Sequence, residues 1–451
     1  MIQLPDAFIE NILSLYPDEA GYFFESLQQV PKTSIRKNTS KFSDAFSDET
    51  EVLWCKEARI LSQRPSFTED PLWHAGAYYV QESSSMFLNT IVQEIAKSID
   101  APVVLDLCAA PGGKTTTLID ALPESALVVA NEIIKSRVAI LQENLLRWGK
   151  PNVVITHNDP KHFQKLEAFF DIILVDAPCS GEGLWRRDAS AMEEWSMEHV
   201  HLCETRQARI LHDIIACLKP GGSLIYATCT FNQFENENQV TMLRENYGLV
   251  PKLIEIPANW PVSSVDAFQF KFLPHKVTGE GLFIAVLEKP KLSDHGNKNR
   301  KHAKLNFLPK KFLPAAMGYL DQPDLFDYFI ENDFVFAFPK PMIPVYEQLR
   351  EALYVKYAGI CMGKLDKNGN LIPEHSLALS VHVSNKVPRI TLSREEAIVF
   401  LKKGTLLPTG NWPQGWCLAC FNQLPLGWVK VLQNRVNNYF PAEYRILKDV
   451  S

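Results

Sequence analysis

The sequence predicts an α/β protein built on a doubly wound, largely parallel sheet, preceded by a small α/β module and followed by a β-rich domain. Three observations carry that reading. Short apolar β-rich runs alternate with helical patterns between about Ala101 and Leu287; a glycine-rich turn follows the first run; and beyond about Val335 the chain breaks into short strands punctuated by Gly, Pro and Asn. A chain of 451 residues, 46% hydrophobic and 22% charged, can bury several large cores, about two to four folded units.

The first run is Val103-Val104-Leu105-Asp106-Leu107, and a helix opens at about Lys114 after the turn. The second, Leu127 to Glu132, leads into a helix in which Ile133, Ile134, Val138, Leu141 and Leu145 fall near one face. Val153 to Thr156 and Ile172 to Asp176 are the third and fourth. A long helical stretch from about His199 to Leu218 is stopped by Lys219-Pro220-Gly221-Gly222, and Ser223 to Ala227 forms the fifth strand. Residues 1–95 mix helical and extended patterns. Between Glu288 and Lys311, eight Lys or Arg stand against two acids, which reads as a basic connector, either a solvated linker or a nucleic-acid contact. A compact β-rich domain closes the chain.

A net charge of −6 excludes a protein coated in basic surface, so a nucleic-acid partner must be met by local patches such as Arg36, Lys37, Arg186 and Arg187. The nine cysteines are scattered and odd in number, which favours reduced thiols over a secreted disulfide framework. The N-terminal stretch lacks the basic and apolar regions of a signal peptide, and no apolar run reaches the roughly 18 residues of a membrane span. A cytoplasmic protein is expected. Cys417-x-x-Cys420 has no second pair at zinc-site spacing, so no metal is expected.

Cys108, Ala109, Ala110, Pro111, Gly112, Gly113 and Lys114 lie between a buried strand and a helix start, where small residues let a ligand approach backbone N–H groups. A P-loop would need Gly where Cys108 stands, and the three-glycine dinucleotide spacing is absent. Glu132 ends the second strand, 24 residues past Cys108, at the place of an acid that takes both ribose hydroxyls. Asp159 and Asp176 end the third and fourth strands. Singly, each is a common cap or turn residue. Together they converge on one sheet edge. A ribose-binding acid without a phosphate cradle fits S-adenosyl-L-methionine better than a nicotinamide cofactor.

Cys179 follows the fourth strand in Asp176-Ala177-Pro178-Cys179-Ser180-Gly181, and Cys229 follows the fifth in Thr228-Cys229-Thr230. Neighbouring strand ends put both sulfurs over one crevice. A thiolate there can add to a carbon electrophile, with redox pairing of the two as the competing reading.

These motifs carry a resemblance. Cys108 to Thr115, Ala130-Asn131-Glu132, Asn158-Asp159, Asp176 to Gly183 and Ala227 to Thr230 resemble the RNA 5-methylcytosine methyltransferases that use two cysteines, the NOP/Sun (RsmB/NOP) group. Ser34 to Thr39, Tyr79 to Ser83, Pro274-His275 and Gly281 to Ala285 resemble it as well. Pro425 to Lys430 and Asn437 to Pro441 are similar to the PUA-like, RNA-binding end of the bacterial subfamily acting on small-subunit ribosomal RNA. Glu132 stands where Asp is common, and Leu282 replaces a frequent Phe.

The resemblance implies a class I, Rossmann-like methyltransferase sheet and four segments: an RNA-binding module at 1–95, a catalytic domain at 96–288, the connector at 289–345 and a PUA-like domain at 346–451. It implies that Cys108 to Lys114 contact the methionine part of S-adenosyl-L-methionine, Glu132 its ribose and Asp159 its adenine, with Asp176 near both donor and base. It assigns Cys229 as nucleophile and Cys179 as the thiol that assists release, which spacing alone leaves open. The implied reaction is methylation of cytosine carbon 5 in RNA, small-subunit ribosomal RNA or the small subunit being the expected partner. A tRNA substrate and a catalytically vestigial RNA-binding assembly factor are the alternatives.

Overall fold

The computed structural model describes residues 4–41, 43–291, 304–408 and 411–447; residues 292–303 of the basic connector lie outside them. The central sheet has ten strands. Numbered along the chain within this sheet, they include β1 (Val103–Asp106), β2 (Leu127–Asn131), β3 (Val153–Thr156), β4 (Phe170–Asp176), β5 (Leu218–Thr228), β6 (Ser263–Val265), β7 (Gln269–Phe272), β8 (Leu282–Glu288) and β9 (Val355–Ala358). The spatial order is β6-β7-β8-β5-β4-β1-β2-β3-β9, and Val250–Pro251 pairs beside β8. β5, β4, β1, β2 and β3 are mutually parallel, while β6 to β8 and β9 run antiparallel at the two edges.

β1, β2 and β3 are buried along their whole length, which is why they read as unbroken apolar runs rather than alternating ones. One face of the sheet packs on helices α1 (Gly113–Ala121) and α2 (Lys135–Trp148) through Leu118, Leu141, Leu145 and Trp148. The other packs on α3 (Met197–Ile214) through Ile210, Leu211 and Ile214.

Two local expectations are corrected. The fifth strand begins at Leu218, not Ser223, because α3 ends at Ile214 and Gly221 and Gly222 are bonded into the sheet by Lys289. Ile133 and Ile134 do not belong to the buried face of α2. The helix starts at Lys135, and the two side chains are 47% and 48% exposed beside Glu132.

The N-terminal helices Asp6–Leu15 and Ala20–Leu27 pack Phe8, Ile12 and Phe23 against Trp185, Trp195 and Phe231 of the central domain. The strands Ser34–Lys37, Thr50–Val52, Cys55–Ile60 and Tyr78–Val80 form a separate small sheet. After the connector, Phe326–Glu331 and Phe334–Pro339 pair with Ile360–Leu365 and Leu371–Pro373 in one sheet, and a continuous helix spans Ile343–Ala352. The division expected between 345 and 346 therefore falls inside one folded unit, because strand pairing reaches across it. A last four-stranded sheet holds Arg389–Thr391, Gly415–Phe421, Leu424–Val431 and Val436–Asn438. Among the described residues, no helix is long and apolar enough to cross a membrane.

Candidate active site

The carboxyl ends of β5, β4, β1, β2 and β3 lie side by side, and the chain order reverses at β1, the place where open α/β sheets bind ligands. Cys229 follows β5, Asp176 and Cys179 end and follow β4, the Cys108–Gly112 loop follows β1, Glu132 follows β2 and Asp159 follows β3. The expected residues thus share one edge, with the thiols at one end and the two outer carboxylates at the other.

Gly112 enters α1 with a φ of +114°, a conformation that side chains disfavour, and a Cβ at Gly113 would come within 3.3 Å of the Tyr79 ring. The two glycines let this turn pack closely against α2 and Tyr79 at a helix N-terminus. Lys114 Nζ donates to Asp176 Oδ2 at 2.8 Å. Burial favours the neutral amine, but Asp176, with Cys229 and Glu82 beyond it, outweighs that and pushes the Lys114 ammonium up. Cys108 packs against the core below the loop, and burial pushes its thiol up.

The Cys179 and Cys229 sulfurs lie 3.1 Å apart, and the Cys229 N–H points at Cys179 Sγ from 3.4 Å. Contact with Cys229, burial, and the charges of Cys229 and Glu235 push the Cys179 thiol well up. Cys179 is therefore held in its protonated form.

Glu132 is nearly fully buried. Its Oε1 accepts the Ile134 N–H at 2.9 Å, and its Oε2 lies 3.5 Å from Arg137 Nη1, while Arg137 also reaches the Ala110 carbonyl. Asp159 accepts the Lys161 N–H at 3.1 Å, so one oxygen serves as a cap.

Several residues at this edge escaped sequence reasoning. Asp106 ends β1 fully buried; Thr115 donates to its Oδ2 at 2.6 Å, and its Oδ1 has no partner. Burial pushes this carboxyl up to about 7. An acid closing an otherwise apolar strand was the available signal. Tyr354 arrives from two hundred residues downstream: β9 runs antiparallel to β3 with Val355 opposite Thr156. Asn158 donates to the Tyr354 carbonyl and accepts its N–H, both at 3.0 Å, so the backbone of this 61%-exposed residue is fixed next to the β3 end.

The expected phosphate contacts divide. Arg36 is not at the surface: it is 2% exposed, paired with Asp120, and set over the Trp148 ring at 4.7 Å. Lys37 donates to Ser47 Oγ at 2.9 Å, and Arg186 donates to the Gln29 and Gly279 carbonyls at 3.0 and 2.9 Å. Arg187 remains exposed, 3.4 Å from Glu280. Cys417 and Cys420 belong to different hydrophobic clusters and do not converge.

Comparison with known proteins points to one family. The family described as 16S rRNA methyltransferase RsmB/F matches residues 95–288, the N-terminal domain of 16S rRNA methyltransferase RsmF matches 4–83, and the methyltransferase RsmF PUA domain matches 387–446. The ribosomal RNA small subunit methyltransferase F of Erwinia tasmaniensis is 30% identical over 97% of this chain and 96% of its own. That of Shewanella oneidensis is 29% identical over 100% and 98%. A methyltransferase homolog from Pyrococcus horikoshii aligns with a TM-score of 0.55 at 27% identity over 64% of this chain and 96% of its own. NSun6 from the same organism, solved with SFG, has a TM-score of 0.55 at 21% identity over 64% and 99%, a likeness of fold. With the catalytic-domain, N-terminal and PUA matches in this order and a relative 30% identical over nearly the whole chain, the chain belongs to the 16S rRNA methyltransferase RsmB/F family.

Proposed function

We propose that this protein transfers a methyl group from S-adenosyl-L-methionine to carbon 5 of a cytosine in RNA, through a covalent bond between Cys229 and carbon 6, with small-subunit ribosomal RNA as substrate. The observation that carries the reading is the 3.1 Å approach of two thiols at adjoining strand ends, beside the Lys114–Asp176 pair.

The site fits the donor. The N-terminus of α1 offers backbone N–H groups to the methionine part, the unpartnered Asp106 oxygen suits a nearby positive group, and Glu132 and Asp159 stand where ribose and adenine would be read. When bound, the donor supplies an electrophilic methyl on a sulfonium.

Carbon 5 of cytosine is too weak a nucleophile to take that methyl unaided. Addition of the Cys229 thiolate to carbon 6 moves the ring electrons onto carbon 5 and N3, and Asp176 holds the proton that N3 then carries. Carbon 5 is then the nucleophile for the methyl that the bound donor would supply. For release, the carbon 5 hydrogen leaves as a proton, its electron pair restores the ring double bond as the carbon 6–sulfur bond breaks, and the N3 proton returns to Asp176. Cys179 relays one proton from carbon 5 to the departing Cys229 sulfur. The target must be unpaired or flipped, at a cost of a few kcal/mol. The PUA domain and Arg187 supply affinity for RNA shape and phosphate.

The names of the full-length relatives support small-subunit ribosomal RNA over tRNA. The intact Cys179, Cys229, Lys114 and Asp176 set favours an enzyme over a vestigial scaffold. Nucleoside mass spectrometry of ribosomal and transfer RNA from a deletion strain tests all three readings. Loss of one 5-methylcytosine from small-subunit RNA is expected; loss from tRNA alone overturns the substrate, and loss from neither overturns the enzyme.

A further inference from the structure

Behind the two sulfurs lies a buried polar network that the chemistry above does not use. Glu235, with no exposed surface, accepts the Ser180 N–H at 2.9 Å and Gln207 Nε2 at 2.8 Å on Oε2, and Asn232 Nδ2 at 2.8 Å on Oε1. Ser180 follows Cys179. Gln207 also donates to the carbonyl of Pro178, on the other side of Cys179, at 3.2 Å. Asn232 donates to Thr230, the residue after Cys229, at 2.9 Å, and to the buried Glu182 at 3.0 Å. The Ser180 and Thr230 hydroxyls lie 3.0 Å apart. Tyr226, on β5 itself, donates its hydroxyl to the Glu235 backbone carbonyl at 2.6 Å.

Every group facing the Glu235 carboxylate is a donor, so only an acceptor on both oxygens satisfies the set; an amide would turn its own N–H toward another N–H. Burying a carboxylate is costly, and an apolar residue would fill the space at less expense. We propose that Glu235 is a positioning residue whose buried carboxylate ties the Cys179 loop to the Cys229 loop and holds the two sulfurs in contact. The same charge faces Cys179, after its contact with Cys229 and its burial the next influence from outside the pair that keeps it a thiol. Glu235 thereby favours Cys179 as the proton carrier of the proposed reaction. This rests on the roles proposed above for the two cysteines.

The test is thiol chemistry on the intact, RNA-free protein. Alkylation by iodoacetamide, followed by peptide mass spectrometry across pH, gives a rate midpoint for Cys179. Glu235→Gln should lower that midpoint by about one pH unit, raising the Cys179 rate about tenfold on the acid side. Glu235→Asp, which keeps the charge, should leave it near the wild-type value. Simple loosening of the loops would instead raise rates at all pH values in both variants. An unmoved midpoint in Glu235→Gln, or an Asp variant that behaves like the Gln one, overturns the proposal. Should Glu235→Gln not fold, hydrogen exchange on the wild type decides: the Ser180 amide is expected to exchange slowly for a loop residue, and fast exchange overturns the clamp. Failure of wild-type protein to form an adduct with RNA would strike the proposed reaction and leave the thiol measurements standing.

Discussion

Lys114 Nζ lies 2.8 Å from Asp176 Oδ2, so the helix that opens on the glycine turn is tied to the strand end that leads into Cys179. The pair is partly open, with side chains 18% and 29% exposed, and joins the donor half of the edge to the thiol half. Lys114→Met should leave Asp176 without its cation and slow single-turnover methyl transfer roughly tenfold to a hundredfold, with a smaller effect on thermal stability. Asp176→Asn should slow it further, since it removes both the lysine's partner and the group proposed to hold the ring proton. Wild-type rates in either variant would remove the pair from the reaction.

The two thiols predict different failures. Cys229→Ser should abolish both transfer and the covalent protein–RNA species seen on denaturing gels. Cys179→Ser should permit attack but impede release, so that the adduct accumulates during turnover. A Cys229→Ser protein that still forms adduct, or a Cys179→Ser protein that turns over normally, reverses the assignment.

Much of this edge was legible because strands buried on both faces announce themselves as apolar runs, and parallel order then fixes which strand ends are neighbours. Cys179 and Cys229 are fifty residues apart in the chain yet predictable as a pair on that ground. What was not legible depends on pairing with no local trace. β9 is four residues long, joins β3 from two hundred residues away, and carries Tyr354 to the site. Ile133 and Ile134 misled because the apolar period runs smoothly into α2 although the helix begins only after them. Glu182 and Glu235 passed unnoticed because an acid in a polar stretch reads as surface, whereas here both are fully buried against donors.

Arg36 supplies a prediction about stability instead of RNA binding. Its guanidinium pairs with Asp120, donates to Thr116 Oγ1 at 2.6 Å and to Gln81 Oε1 at 3.1 Å, and is only 2% exposed. Arg36→Met strands the Asp120 carboxylate, whose acid form burial already favours. Breaking a buried pair from one side costs about 3–5 kcal/mol, so urea denaturation should show a loss of that order. RNA affinity of the folded fraction should be unchanged; a selective loss of RNA binding with normal stability would return Arg36 to the phosphate contacts.

The junction of the three described regions predicts sensitivity to acid. His74, Arg147 and His375 line one cavity with Glu143, Phe440 and Tyr444, and Arg147 stacks on Trp73 at 3.7 Å. Burial, with Arg147 and other cations nearby, pushes His74 down to about 4 and His375 down to about 3, from an ordinary 6.5. Between those values and 6.5 the unfolded chain binds protons that the folded one refuses, so stability falls as pH drops, by about 1.4 kcal/mol per histidine per pH unit. Lys41, pushed down to about 7 by burial and Arg147, acts with the same sign in a higher window, between 7 and its usual 10.5. Asp106, pushed up to about 7 by burial, acts with the opposite sign below that pH, so the histidine contribution is read as the difference in thermal midpoint between wild type and a histidine variant from pH 8 to pH 5. His375→Gln should remove its share of the slope below 6.5 and leave the part above 7 intact. A slope unchanged by that substitution would show that the C-terminal region is not docked through this cavity.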